Sequence, residues 1–151
     1  MSATQQAEKL SVVLNRQVAN WTVLYTKLHH FHWYVKGSEF FTLHAKFEEL
    51  YTEAAERMDA IAERLLAIGG SPVSTLKESL SLATVDEAAG GESAAQMVGA
   101  VIADYAKLAD ELAAGIESAQ AAGDEATADL FIGQTADLQK TIWMLNAFLG
   151  K

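Results

Sequence analysis

The sequence predicts an all-α protein, a bundle of four long helices with one long connection between the second and the third. Three observations indicate this class. Apolar residues recur every three or four positions along most of the chain, which is the helical period. The 151 residues include one proline and no segment that indicates a sheet. Half of them are apolar, enough for the core of one domain spanning residues 1–151.

The first two helices occupy the first half of the chain. The first is predicted from Thr4 to Val35, with core positions Leu10, Val13, Leu14, Val18, Trp21, Leu24, Tyr25, Leu28 and Phe31. Gly37 interrupts the pattern, and Ser38 is the expected N-cap of the second helix. That helix runs to about Ile68, where two glycines end it. Its core positions are Phe40, Leu43, Phe47, Leu50, Ala54, Met58, Ile61 and Leu65.

The segment from Pro72 to Gly91 is too long for a simple turn and predicts a crossover along the bundle, with a short helix from Thr75 to Leu80. A third helix is predicted from Ser93 to Ala121, and a fourth from Asp124 or Glu125 to Leu149. In the fourth helix the predicted inward residues are Leu130, Leu138, Ile142, Leu145 and Phe148. This connectivity is that of a ferritin-like four-helix bundle.

Charge and composition exclude several function classes. The chain has 11 Lys and Arg against 20 Asp and Glu, a net charge of −9, so a polyanion such as DNA is repelled. Only Lys9 and Arg16 are basic within the first twenty residues, so no basic tail compensates. The absence of an apolar leader or membrane span predicts a cytoplasmic protein. With no cysteine, any metal must be held by histidine and carboxylate.

Four potential metal ligands lie on one flank of the second helix. From His44 to Glu48, then to Asp59 and Glu63, the helical angle advances by only about 40°, 20° and 40°. Each residue alone is more often part of a solvated or packed face. Together they favour a non-haem iron site, because imidazole and carboxylate are ligands that such iron uses.

One chain cannot complete this site, because His44 and Asp59 lie about 22 Å apart along a helix. However, an antiparallel copy of the helix would place His44 opposite Glu63 of the copy, and Glu48 opposite Asp59, because the residue numbers of both pairs add to 107. The small residues Thr52 and Ala55 would allow close approach. No Glu-x-x-His motif is present for a ferritin-type site within one chain. The pattern therefore predicts a two-fold dimer with two shared metal sites.

The runs Leu28-His29-His30-Phe31-His32-Trp33-Tyr34-Val35-Lys36-Gly37 and Phe40-Phe41-Thr42-Leu43-His44, with Asp59 to Leu66 and Gly69-Gly70, resemble the Dps family of mini-ferritins. The resemblance implies that His32 and His44 come from one subunit and Asp59 and Glu63 from its dimer mate, with Glu48 at a position that is usually acidic. It implies oxidation of Fe(II) at a mono- or di-iron site, by hydrogen peroxide or dioxygen, and ferric mineral stored in a dodecameric shell.

The same resemblance implies two further roles. Trp33 would lie close to the iron as an electron donor, although a packed core or interface tryptophan is nearly as common. Asp124, Glu125 and Asp129 would line a three-fold pore for iron entry, and their alternative role is to stabilise a helix N-terminus. His29 and His30 are assigned no ligand role.

Two other functions stay open at this point. One is a structural protein that protects DNA by direct contact, which would show salt-sensitive DNA binding. The missing lysine-rich tail instead resembles the branch of the family that does not bind DNA. The other is a redox enzyme with an organic substrate, but a site at a two-fold interface leaves little room for a substrate pocket.

Overall fold

The computed structural model describes residues 1–151 and contains five helices and no strand. They are α1 (Ala3–Tyr34), α2 (Phe40–Ala67), α3 (Leu76–Leu82), α4 (Ala94–Ala121) and α5 (Glu125–Phe148). The predicted four-helix bundle with a short helix in the crossover is confirmed, and the long helices begin and end within a residue or two of their expected limits. The short helix α3 ends two residues later than predicted. None of the helices combines the length and apolarity needed to cross a membrane.

Side-chain caps start most of the helices. Ser2 and Ser93 each form a capping box, with Gln5 and Gln96 respectively, and Thr75 caps α3. The prediction that Ser38 caps α2 is wrong. The N-cap residue is Glu39, whose side chain makes no capping bond, because a turn from Gly37 (φ +105°) to Phe40 places Ser38 outside the helix.

The core is one cluster of 27 buried apolar residues along the bundle axis. Its largest fully buried side chains include Trp21, Tyr105 and Phe131. Two predicted core residues are instead exposed: Tyr25 keeps 39% of its surface and Phe148 keeps 38%. Both lie at the margin of an apolar stripe, where a helical period alone does not distinguish the core from an outward-facing apolar surface. The other predicted core positions are buried or half-buried.

The crossover is held to the bundle by two asparagine side chains of α1, the half-buried Asn15 and the fully buried Asn20. The Asn15 side-chain amide donates to the carbonyl of Ser71 and accepts from the amide of Val73. About one and a half turns further along α1, Asn20 accepts a hydrogen bond from the amide of Thr84 at 2.8 Å and donates one to the carboxylate of Glu111 at 2.9 Å. These bonds fix the path from α2 to α4. The outward face of α2 is exposed and carries Phe41, Glu48, Thr52, Asp59 and Glu63.

Candidate metal centre

Two histidines from neighbouring helices lock each other in place. His32 lies near the end of α1, and His44 lies in the second turn of α2. The Nδ1 of His32 is 2.6 Å from the carbonyl oxygen of His44, and the Nδ1 of His44 is 2.8 Å from the carbonyl oxygen of His32. The carbonyl of His32 is available because the last four carbonyls of a helix have no partner within it. The two rings stack with their centroids 3.7 Å apart.

This arrangement settles which ring nitrogen is left for a metal. A carbonyl can only accept, so each Nδ1 must carry the proton and donate. Each Nε2 then presents a lone pair in the neutral ring, and neither makes a hydrogen bond within the chain. Histidines that bind metals commonly donate their other N–H to a backbone carbonyl, which fixes the ring. The pair therefore has the chemistry and the fixed orientation of a metal-binding half-site.

The third predicted ligand, Glu48, follows one turn after His44 and is exposed. Its Oε1 accepts a hydrogen bond from the hydroxyl of Tyr51 at 3.3 Å. Desolvation raises the pKa of the Tyr51 phenol, and the Glu48 carboxylate raises it further, so this hydroxyl is a donor. Tyr51 was missed by the sequence analysis. A signal was present, because positions 44, 48 and 51 follow the spacing of one helical face.

Asp59 and Glu63 lie further along α2, and both are exposed. Neither takes part in an ion pair within the chain. No group of three or more His, Asp or Glu side chains in the single chain is close enough to hold a metal ion. The chain thus brings His32 and His44 together but leaves the two acidic residues apart from them.

The remaining aromatic candidates form a chain of contacts beside the histidine pair. Trp33 is 66% exposed, and its ring contacts His29 with centroids 5.3 Å apart. His29 in turn stacks on Tyr51 at 3.7 Å, and its Nδ1 donates to the carbonyl of Tyr25. His30 lies on a different side of α1, against Tyr34. Although Trp33 follows His32 in the chain, its ring contacts His29 and stacks on neither His32 nor His44.

The three acidic residues at the start of α5 differ in their contacts. Asp124 is the N-cap of α5: its carboxylate accepts from the amide and hydroxyl of Thr127 and pairs with Arg64 at 2.8 Å. Desolvation opposes ionisation, but the bonds from Thr127 and the charge of Arg64 lower the pKa of Asp124 overall. Glu125 and Asp129 are exposed. Asp124 therefore has a structural role in this chain, whereas Glu125 and Asp129 make no side-chain hydrogen bond or ion pair within it.

Comparison with known proteins identifies the family. Residues 12–151 match the family model described as a ferritin-like domain. The crystal structure of a Dps protein from Bacillus brevis superimposes with a TM-score of 0.96 at 56% sequence identity, covering 99% of both chains. The chain belongs to the Dps family of ferritin-like proteins.

Two other Dps-family members illustrate the range of the similarity. DNA protection during starvation protein 2 of Bacillus anthracis is 58% identical over 139 residues, which cover 92% of this chain and 95% of that protein. The structure of Dps from Listeria innocua soaked with zinc has a TM-score of 0.91 at 48% identity, covering 94% of this chain and 97% of that one. The similarity thus extends over nearly the whole length of the bundle.

Proposed function

We propose that this Dps-family chain is a ferroxidase that removes Fe(II), oxidises it with hydrogen peroxide or dioxygen, and stores ferric mineral inside a dodecamer built from two-fold dimers. The observation that carries the proposal is the reciprocal bonding of His32 and His44, which holds both rings and leaves the Nε2 of each without a hydrogen bond within the chain. Imidazole with carboxylate suits iron in both oxidation states. Iron is here the substrate and the stored cargo.

Each site would take its ligands from two subunits. His32 of one subunit, with Asp59 and Glu63 of its mate, would bind the first Fe(II). His44 and Glu48 would hold a second iron or a water molecule. Two Fe(II) ions supply the two electrons that convert one hydrogen peroxide into two hydroxide ions, so no hydroxyl radical is released. The exposed, unpaired state of Asp59 and Glu63 supports their assignment to a partner's site.

The surface of the chain also supports assembly. Several large apolar side chains are exposed, among them Phe41 at 85%, Leu76 at 72% and Trp143 at 67%. Such side chains are typical of protein interfaces when they are grouped. On the outward face of α2, Thr52 and Ala55 offer little bulk between the histidine and acidic ends, so two copies of α2 could cross closely there.

Protection of DNA would follow indirectly. Consuming Fe(II) together with peroxide removes both reactants that generate hydroxyl radical, so contact with DNA is not required. The net charge of −9 disfavours such contact. Iron would enter along the acidic residues at the start of α5, of which Glu125 and Asp129 are free to attract it.

Subunit mixing tests the shared site. The variants His32→Ala/His44→Ala and Asp59→Ala/Glu63→Ala should each be inactive. After dissociation and reassembly, a heterodimer carries both lesions in one site and leaves the other intact. Random mixing should therefore restore about a quarter of the wild-type oxidation rate.

The matched control mixes the single variants His32→Ala and His44→Ala, whose lesions lie in the same half-site. That mixture should recover no activity, because every site keeps one damaged histidine. Mass spectrometry would establish that subunits exchange. If exchange is complete and the first mixture stays inactive, the shared-site proposal is wrong.

A further inference from the structure

Three aromatic rings form a continuous stack at the junction of α1 and α2. The ring of His44 lies nearly parallel to that of His32, with centroids 3.7 Å apart and an angle of 15° between the planes. Phe40 stacks on the same His44 ring, with centroids 5.0 Å apart and an angle of 22°. The rings of Phe40 and His32 do not contact each other, so they lie on opposite faces of His44. The His44 imidazole is therefore held between two rings.

Phe40 is itself fixed in position by the turn that precedes α2. It is the first residue of the helix, and its amide donates to the carbonyl of Gly37 at 3.1 Å. Its side chain is half-buried against the core and contacts Phe41 edge-on, with centroids 5.4 Å apart. Because Phe40 and His44 are four residues apart on one helix, their side chains lie on the same face. The stack thus follows from the local sequence once the turn has set the start of α2.

The second face of His44 matters because a single hydrogen bond does not fix a ring. The bond from its Nδ1 to the His32 carbonyl holds one atom and leaves the ring free to rotate about the line between N and O. Such a rotation would swing Nε2 away from a bound metal. His32 is different, because it is buried and the ring of Tyr51 also stands edge-on to it at 90°. His44 is half-buried, and Phe40 covers its second face.

We propose that Phe40 is a positioning residue that keeps the Nε2 of His44 directed at the metal. The inference rests on the proposed function, in which His44 is a ligand of the second iron. Stacked aromatic pairs interact more strongly than the apolar area that they bury accounts for. A role in the core alone would make any apolar side chain of similar volume equivalent to Phe40. A positioning role requires a flat ring.

Co(II) absorption titrations of the assembled protein test the inference. The variant His44→Ala first identifies the binding step that depends on His44. Phe40→Leu should weaken that step about tenfold, which is the usual effect of losing a group that orients a metal-binding histidine. Phe40→Tyr keeps the flat ring and should bind Co(II) like the wild type. The matched control is Phe41→Leu, which should also bind like the wild type, because Phe41 contacts Phe40 but stacks on neither histidine.

A measurement without metal separates the positioning of the ring from the binding of the ion. Solid-state nitrogen NMR on protein with isotope-labelled histidine reports which ring nitrogen carries the proton. Wild-type His44 should be protonated at Nδ1 alone, because that atom donates to the His32 carbonyl. Phe40→Leu should add a second population that is protonated at Nε2, since a rotating ring leaves that carbonyl. Phe40→Tyr and Phe41→Leu should show the wild-type signal.

Calorimetry checks that the variants fold, and Phe40→Met replaces Phe40→Leu if the latter does not assemble. Unchanged Co(II) affinity, or a single His44 tautomer, in the aliphatic variant would overturn this inference alone. So would a Phe40→Tyr variant that is impaired as much as Phe40→Leu. A wild type that binds neither Co(II) nor Fe(II) would overturn the proposed function and the inference together.

Discussion

The polar side chains of this chain fall into two regions that differ in where their partners lie. In the network that holds the crossover, Asn20 is fully buried and Glu111 half-buried, and both find hydrogen-bond partners within the chain. On the outward face of α2, Asp59 and Glu63 have no partner and remain exposed. The first region therefore stabilises the fold of the single chain, whereas the second takes no part in it and, under the proposed function, would bind iron together with another subunit. Substitutions in the two regions should therefore affect different measurements.

The largest effect is expected on the outward face of α2. Asp59→Asn combined with Glu63→Gln should slow iron oxidation by at least about 100-fold, because amides are weaker ligands for iron than carboxylates. The melting temperature should not fall, since no contact within the chain is lost. Stopped-flow absorbance and calorimetry measure the two quantities. A marked loss of thermal stability would contradict the division between the regions.

A change in the crossover region should have the opposite pattern. Asn20→Ala leaves the Thr84 amide without its buried acceptor and removes one of the hydrogen bonds to the Glu111 carboxylate, which keeps its bond from Gln17, at a cost of about 2 kcal/mol. The melting temperature should fall by about 5 °C, while the rate of iron oxidation per folded subunit stays at the wild-type value. Asn146→Ala, which removes a half-buried asparagine of α5, is the control and should cost much less.

The smallest effects should separate the acidic residues at the start of α5. Asp124→Ala should lower stability by about 1 kcal/mol through loss of the cap. Because folding lowers the pKa of Asp124, this difference is present above about pH 4 and is lost as the pH falls through the lowered pKa.

Asp129→Asn should leave stability unchanged and slow iron uptake about twofold, at low ionic strength only. Uptake that is insensitive to Asp129 at low salt would assign iron entry elsewhere.

Sequence periodicity was sufficient for the helices, because apolar spacing and cap residues are local signals. It failed at Tyr25 and Phe148, because a helical period alone does not distinguish a buried apolar residue from one at the margin of the apolar stripe. The candidate ligands were visible through residue type and family resemblance. The reciprocal bonds of His32 and His44 were not, since they depend on how the turn from Gly37 to Phe40 sets one helix end against the next helix.

The network around Asn20 was beyond prediction for a different reason. Its partners lie 64 and 91 residues away in the chain, so no local pattern contains it. Tyr51 was predictable only in part. Its spacing from Glu48 on one helical face is visible in the sequence, but its packing against histidines of the preceding helix is not.

The backbone-held histidine pair also bears on how the site would discriminate among metals. Because carbonyl groups orient both rings, Zn(II) and Co(II) meet the same lone pairs as Fe(II), and zinc stands above ferrous iron in the usual order of affinities. Preorganisation of this kind therefore does not favour iron at equilibrium. Under the proposed function, the preference for iron would be kinetic, because iron changes oxidation state and moves on to the mineral. Zinc would stay bound and act as a competitive inhibitor, so that the rate of iron oxidation would fall as the free zinc concentration rises.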